Sequence, residues 1–385
     1  MKKITKRLIT TTLLIIALIG FYIVNSLNYI KHIEIKRSFV EHPENLPTKE
    51  AAVNSSIGFR NLKADIYWLE TIQYIGGNAI GSEYKKYLYV ILDLITELNP
   101  YFEHPYIIGQ LLLPSYNERY ENLPKEEQQK NIDESIKLGL KGIENFCEMD
   151  KIELIKNEDD LQKIWTDEKY KNPCKSYNVP SYLAYIYYYY NHDPQTAALY
   201  YKVASAVDDS LAGSKIMAAI MSGKGGNREK SYFMFLNIAK YIETEDKACL
   251  EFAGNLEQAG AELFINKRVD LNATILKNIE NSRVKIFGTF TEEKEEDILS
   301  DTKCHNYINK AIRELNLEYI ERAEARYFKD KSKHSLSAKE LFEQNYIEFL
   351  PVDFQQYKDY GIIYFFNTEI GNYDYKMGTY EELGL

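Results

Sequence analysis

The first 30 residues constrain this 385-residue chain more than any other segment. Four basic residues lie within the first seven positions, and an uncharged, mainly apolar stretch then runs from Leu8 to Ile30. A helix needs about 20 such residues to cross the hydrocarbon core of a bilayer. Residues 1–30 are therefore predicted to form a signal anchor, that is, one transmembrane helix.

A cleaved signal peptide and a buried helix are the alternatives to this anchor. A cleaved signal has an apolar region of about 7–15 residues followed by small residues at the cut site. Here the apolar run is longer, and Phe21–Leu27 offers no clean site of that kind. Basic residues before the helix favour a cytoplasmic N-terminus, although Lys31, Lys36 and Arg37 reduce the asymmetry. We expect a single-pass membrane protein whose bulk is extracytoplasmic.

The net charge excludes one class of partner. The chain carries a formal charge of −10, which becomes −14 without the four basic residues that precede the apolar stretch. Nucleic-acid binding requires a basic footprint, so no nucleic-acid partner is expected.

The pattern after the anchor predicts an all-α body. Residues 31–56 are polar and resemble a stalk, residues 57–283 carry helical periodicity, and residues 284–385 hold C-terminal helices and a tail. Residues 148–178 are charged and break the period, which predicts an inserted loop. Aromatic alternation around 362–366 predicts a short strand or β-hairpin.

Individual helices follow from apolar residues three to four positions apart. The ranges 59–74, 83–98, 103–113 and 126–147 fit this spacing, and so does a long stripe from Ile308 to Tyr327. Asp193-Pro194 is a helix start signal, with Asp as N-cap and Pro at the first helical position. Ser337 and Glu340 match a capping box.

A repeat links two helices of the body. Ala197, Tyr201 and Ala204 recur 34 residues later as Ser231, Phe235 and Ile238. A period of 34 residues is typical of tetratricopeptide repeats, and the chain resembles that family over roughly residues 85–265. Further matches are Gly226, Ala218-Ala219, Asn99-Pro100, Tyr106 and Gly109. The Tyr-rich run 182–190 and Asp208-Asp209 depart from the family pattern. The resemblance implies a helical-hairpin solenoid.

Two looser resemblances concern the ends of the body. Residues 64–77 and 92–102 are similar to bacterial membrane-anchored tetratricopeptide proteins of unassigned role. Residues 325–353, which end in Leu350-Pro351-Val352-Asp353, resemble the tails of such proteins and of pseudopilin-like domains, although the Gly and Pro that usually follow are missing. The second likeness implies a hairpin near the C-terminus.

The sequence nominates no catalytic residue, no cofactor site and no metal ligand. The six His are scattered, and no two lie four residues apart, whereas zinc sites need closely spaced Cys and His. The Gly-Lys in 222–227 lacks the Gly and the Ser/Thr of a phosphate loop, so an interhelix turn is predicted there. The four Cys permit disulfides outside the cytoplasm. Four unpaired core cysteines are the expectation, and if a disulfide forms, Cys147–Cys174 is the favoured bridge, because both residues flank one irregular segment.

These observations favour a non-enzymatic, membrane-anchored scaffold or adaptor that binds a protein partner in the cell envelope. Neither the partner nor the residues of the binding face can be named from the sequence. One alternative is a membrane-tethered hydrolase acting on glycan, in which the Tyr-rich run would line a sugar groove between two carboxylates. Another is a component of a pilus-like or secretion assembly.

Overall fold

Helices dominate the computed structural model, which describes residues 11–29, 43–78, 83–116, 121–242, 246–291 and 295–384. A two-stranded antiparallel sheet lies near the C-terminus. The predictions of a mostly helical chain and of a C-terminal hairpin are therefore confirmed. The chain divides into two compact units, residues 1–134 and 135–385, which are described in turn.

The apolar N-terminal stretch forms one helix, α1 (Thr11–Tyr29). Its 19 residues are long and apolar enough to cross a membrane, and none of its most apolar window is buried. The basic residues before it and residues 30–42 after it lie outside the described ranges. The predicted orientation of the span stays a prediction.

The rest of unit 1 is a small helical body. Its elements are a 3-10 helix (Pro43–Asn45), α2 (Lys49–Asn54), α3 (Arg60–Gly77), α4 (Lys85–Leu98), α5 (Glu103–Leu112) and the first part of α6 (Lys125–Phe146). The predicted stalk is partly helical where it is described, and it belongs to the folded body, since α2 packs against α4 and Ala52 is fully buried. Asn99 ends α4 as predicted, because the residue before a proline disfavours helix.

Helix α3 turns its apolar side outward. Leu62, Ile66, Leu69 and Ile72 are all exposed, whereas Glu70 is buried. A helix on a globular domain ordinarily directs its apolar stripe at the core. In α4 that rule holds, since its four predicted apolar positions, which begin at Leu88 and end at Ile95, are all buried. The spacing therefore predicted the α3 helix, but its apolar stripe is not its packing face.

Unit 2 contains the remaining elements. They are the rest of α6, then α7 (Met149–Lys156), α8 (Leu161–Thr166), α9 (Asn178–Tyr189), α10 (Pro194–Ser205), α11 (Ala212–Lys224), α12 (Arg228–Tyr241), α13 (Lys247–Gly260), a π-helical turn (Ala261–Ile265), α14 (Ala273–Phe287), α15 (Glu295–Leu299), α16 (Cys304–Lys331), α17 (Ala338–Glu343), β1 (Gly361–Asn367) and β2 (Asn372–Gly378).

The predicted inserted loop at 148–178 is partly helical, which corrects that prediction. It holds α7 and α8, and the side chain of Asp160 caps α8 by accepting from the backbone N–H of Gln162 and Lys163. Ile155, Leu161 and Ile164 are fully buried. The apolar spacing of these two helices is hard to recognise in the sequence, because each helix is short and has only a few buried positions among its charged residues.

Helices α9 to α13 pack each against the next in chain order. Between α9, α10 and α11 the core is made of small side chains with a few larger ones, namely Ala184, Ala197, Ala198, Tyr201, Ala218 and Met221. The six positions of the 34-residue repeat are all buried. Small residues let helix backbones approach closely, so the repeat positions are the packing positions of α10 and α12.

The long helix α16 lies against α12 and carries the C-terminal segment. Its predicted stripe from Ile308 to Tyr327 is buried, as expected. The strands pair antiparallel, with Tyr364 opposite Tyr375. Ser337 is the N-cap residue of α17, but its side chain makes no cap hydrogen bond, and Glu340 accepts from Leu336 instead. The predicted capping box is therefore wrong in its bonding.

Candidate functional site

A half-open pocket of about 360 Å³ lies among α7, α10, α11 and α12 in unit 2. Most of its lining residues have polar side chains, and three are lysines: Lys156, Gln195, Thr196, Ala198, Leu199, Lys202, Ser222, Asn227 and Lys230. We call this feature the cationic pocket. Two of its walls are the first turns of α10 and α12, where Asp193 and Asn227 cap the helices.

Lys202 is the most buried cation of the pocket. Its Nζ donates to the backbone carbonyls of Ile155 at 2.8 Å, Lys156 at 3.3 Å and Glu158 at 2.8 Å. These bonds tie α10 to the end of α7. Burial lowers the pKa of Lys202 to about 8, because a charged ammonium loses its hydration there. An anion bound nearby would favour the charged form.

The other two lysines are more accessible. Lys230 forms an ion pair with Asp159, a carboxylate that is itself largely exposed, and Lys202 lies 4.0 Å from the same carboxylate. Lys156 pairs with Glu153 at 3.5 Å on the surface. An exposed pair such as Lys156–Glu153 is worth about 0–1 kcal/mol, so an incoming carboxylate can displace it at little cost.

The chemistry that the pocket offers is recognition of an anion. It presents the ammonium groups of Lys156 and Lys230 with the side-chain amides of Gln195 and Asn227, and one Gln195 N–H already binds the Gly225 carbonyl. Lys202 adds positive charge, but its three N–H groups are already bonded to backbone carbonyls. The lining includes neither a carboxylate nor an imidazole. Amides and ammonium groups suit a carboxylate or another small anion.

Arg228, at the start of α12, is the centre of a buried ionic network. Its guanidinium donates to Glu321 Oε1 from Nε at 2.9 Å and from Nη2 at 2.7 Å, and to Glu314 Oε2 from Nη1 at 3.1 Å. It also donates to the Tyr373 carbonyl of β2. Burial raises the pKa of Glu321 to about 7, and repulsion from the carboxylates of Glu318 and Glu314 adds to the rise, while Arg228 opposes it.

Two further ion pairs of the network hold the C-terminal segment. Arg313 binds both oxygens of Asp353, at 2.6 and 2.9 Å, and Tyr364 donates to Asp353 at 2.8 Å. Lys224, at the end of α11, pairs with Asp374 of β2. Removing one partner from such a pair leaves a buried charge uncompensated. The network therefore fixes the hairpin onto α11, α12 and α16.

A glycine makes room for this network. Gly223 in α11 faces the Glu314 carboxylate so closely that a Cβ at this position would overlap it. In the following turn, Gly226 has φ +81, a conformation that other residues rarely adopt. The predicted interhelix turn at 222–227 is confirmed, because α11 ends at Lys224 and α12 begins at Arg228.

The Tyr-rich run forms an aromatic cluster on α9 and α10. Tyr185 stacks on Tyr189 with ring centroids 5.0 Å apart, and Tyr187 stacks on Tyr200 at 5.7 Å. Burial raises the pKa of Tyr190 and Tyr200 to about 12. These rings are mostly half-buried against one another.

The four cysteines form two disulfides, Cys147–Cys174 and Cys249–Cys304. The expectation of four unpaired core cysteines is therefore wrong, whereas the bridge favoured in the case of pairing, Cys147–Cys174, is confirmed. The second bridge joins α13 to the first residue of α16 across 55 residues. No local pattern pointed to it, because its two ends share no irregular segment.

Sequence reasoning missed the cationic pocket, since its lysines come from three helices. One signal for a buried lysine was present in the sequence, since Lys202 follows Tyr201 in a segment rich in small residues. In the structure, α10 is buried around most of its circumference, and Lys202 is among its buried residues. Among the described residues, no group of three His, Cys, Asp or Glu side chains is placed to hold a metal ion.

Comparison with known proteins adds no relative. No protein-family model matches the chain, no curated protein matches it, and no solved structure matches it.

Proposed function

We propose that this chain is a membrane-anchored scaffold or adaptor of the cell envelope, in which a tetratricopeptide-like α-solenoid binds a protein partner. The observation that carries the proposal is the cationic pocket between successive helices of the α9–α13 series. Stacked helical pairs offer extended surfaces that suit peptides and proteins. The pocket would receive an acidic group of the partner, namely a side-chain or terminal carboxylate.

The repeat supports the solenoid part of the proposal. Ala197 and Ser231, 34 residues apart, are both buried, and so are the equivalent pair Ala204 and Ile238. A helix that buries equivalent positions at a fixed period is consistent with a repeat, although α12 also packs extensively against α16. Gly226 at the turn of the second helical pair is consistent with that arrangement.

The span and the disulfides support the envelope location. Helix α1 has the length and composition of a membrane span. Disulfides persist in oxidising compartments and are rare in the cytosol. Two bridges in unit 2 therefore favour an extracytoplasmic location for it.

The carboxylates beside the Tyr cluster favour a scaffold over a glycan hydrolase. A glycosidase needs one carboxylic acid free to protonate the leaving group and a second carboxylate across the groove. Asp193 caps α10, and Asp374 is paired with Lys224. Both carboxylates are therefore already committed to holding the fold.

The test is affinity capture of the full-length protein from detergent-solubilised native membranes, followed by mass spectrometry. The variant Lys156→Glu/Lys230→Glu reverses two accessible charges of the pocket, and Lys339→Glu on α17 is the matched control. We expect a stoichiometric protein partner with the wild type and the control, and a strongly reduced yield with the pocket variant. Recovery without a partner would contradict the proposal, as would equal capture by all three.

A further inference from the structure

The outward apolar side of α3 is a surface that the described fold of unit 1 leaves uncovered. We define the α3 face as Leu62, Ile66, Leu69 and Ile72, all of them exposed. At 100° per residue these four positions span an arc of about 120°. The opposite side of the helix, with Ala64, Thr71 and Tyr74, is buried. The helix thus packs on its smaller and more polar side.

We propose that the α3 face rests in the interfacial region of the lipid bilayer that holds α1. The inference depends on the membrane anchoring of the proposed function. An interfacial helix lies in the membrane plane with apolar side chains at the acyl boundary and polar side chains above it. The α3 face has the leucine and isoleucine content that this position requires.

Chain length places the α3 face within reach of the bilayer. Helix α1 ends at Tyr29, and the folded part of unit 1 begins at the buried Pro43. The 13 intervening residues can span at most about 50 Å. A body of about 90 residues has a radius of gyration of about 12 Å. Any surface of this unit can therefore reach the membrane.

The borders of the face match an interfacial helix. Trp68, half-buried beside Phe102 with ring centroids 5.7 Å apart, lies next to the arc. Exposed Phe59 precedes the helix and exposed Arg60 begins it. Aromatic and basic side chains favour the level of the lipid headgroups. Two exposed polar residues also fall within the arc, Asp65 about 20° from its Ile72 edge and Gln73 between Leu62 and Ile66, and headgroup water can hydrate both.

A second copy of the chain fits the face less well. A two-helix seam uses a narrow stripe of two positions per heptad. The arc of the α3 face is wider, because Ile72 lies about 80° from Leu62. A broad arc suits a flat boundary such as a membrane surface.

The experiment places a thiol on the face of the full-length protein. All four native cysteines are in disulfides, so Leu69→Cys adds a single reactive site for an environment-sensitive fluorophore. Glu126→Cys, exposed at the start of α6, is the matched control. Both proteins are reconstituted into phosphatidylcholine–phosphatidylglycerol vesicles that contain lipids with a nitroxide on the acyl chain. Flotation of the vesicles after a carbonate wash shows whether α1 anchors the protein in the membrane, independently of the position of the α3 face.

The lipid nitroxide should quench the fluorophore at position 69 strongly and the control weakly, in protein that floats with the vesicles. Quenching at position 69 by aqueous iodide, without lipid quenching, would overturn the proposal. Protection from both quenchers, with disulfide cross-linking between the introduced thiols of two unlabelled Leu69→Cys chains, would assign the face to a second copy and also overturn it. Protein that fails to float would overturn both this inference and the membrane anchoring.

Discussion

Helices α3 and α16 both depart from the ordinary amphipathic pattern, in opposite directions. Helix α3 exposes Leu62 and Leu69, whereas α16 buries Arg313 and Glu314. The buried charges of α16 meet opposite charges inside the chain, since Arg313 binds Asp353 and Glu314 binds Arg228. The buried charges of α16 are therefore compensated within the folded chain. On α3, no described residue of unit 1 covers the apolar face, which we assign to the membrane.

The largest expected effect comes from unpairing a buried charge of α16. Arg313→Met keeps most of the side-chain volume but leaves Asp353 buried without its cation. We expect the free energy of unfolding to fall by about 3–5 kcal/mol, measured by denaturant titration of the full-length protein in detergent. Arg268→Met, at an exposed pair of 3.9 Å, should cost at most about 1 kcal/mol. Equal losses would show that the network does not support unit 2.

Removing the second disulfide should have an effect of similar size. Cys249→Ser/Cys304→Ser opens a closure across 55 residues, which the chain-entropy relation values at about 4 kcal/mol. Denaturant titration of the full-length variant measures this loss directly. If its stability equalled that of the wild type, the bridge between α13 and α16 would be dispensable for the stability of unit 2.

The Arg228 cluster predicts a pH dependence of smaller size. The pKa of Glu321 is raised from 4.5 to about 7 by burial, so the folded state holds this proton more tightly than the unfolded state. Its contribution to stability is present below pH 4.5 and is lost as the pH rises to 7. Between pH 4.5 and 7, the free energy of unfolding of Glu321→Gln should therefore rise, relative to that of the wild type, by on the order of 1–3 kcal/mol.

Denaturant titrations of both proteins at several pH values between about 4.5 and 7.5 test this sign. If the difference in the free energy of unfolding between the wild type and Glu321→Gln did not change with pH, the raised pKa of Glu321 would be contradicted. If the wild type became more stable relative to Glu321→Gln as the pH rises, the pKa of Glu321 would be lowered in the folded state and not raised.

The smallest expected effect is on the α3 face itself. Leu69→Gln changes an exposed side chain, so the free energy of unfolding in detergent should stay within about 0.5 kcal/mol of the wild type. Leu88→Ala in α4 removes a fully buried side chain of the same unit and should cost about 2–5 kcal/mol. A loss at Leu69 as large as that at Leu88 would mean that the face packs within the chain.

The comparison also shows which parts of the fold the sequence could predict. Apolar spacing predicted α3, α4 and α16, and the Asp193-Pro194 pair predicted the start of α10, where Asp193 accepts from the Thr196 N–H. These signals are local, since they depend on residues within one or two turns. Periodicity gives an apolar side but not what that side contacts, so the outward direction of α3 needed the structure.

Long-range features were beyond local signals. The Cys249–Cys304 bridge and the pairing of Lys224 with Asp374, 150 residues apart, have no trace in the spacing of nearby residues. The cationic pocket is similar, because its three lysines belong to three helices. The short helices α7 and α8 were missed because their charged residues hid a few buried positions.

The most direct measurement is hydroxyl-radical footprinting of the full-length protein in lipid nanodiscs, read at four leucines of nearly equal exposure. Leu62 and Leu69 are 57% and 61% exposed in the fold, and Leu211 and Leu336 are 62% and 61% exposed. If lipid covers the α3 face, Leu62 and Leu69 will be oxidised several-fold more slowly than Leu211 and Leu336. Equal oxidation rates at all four would contradict the assignment of the α3 face to the membrane.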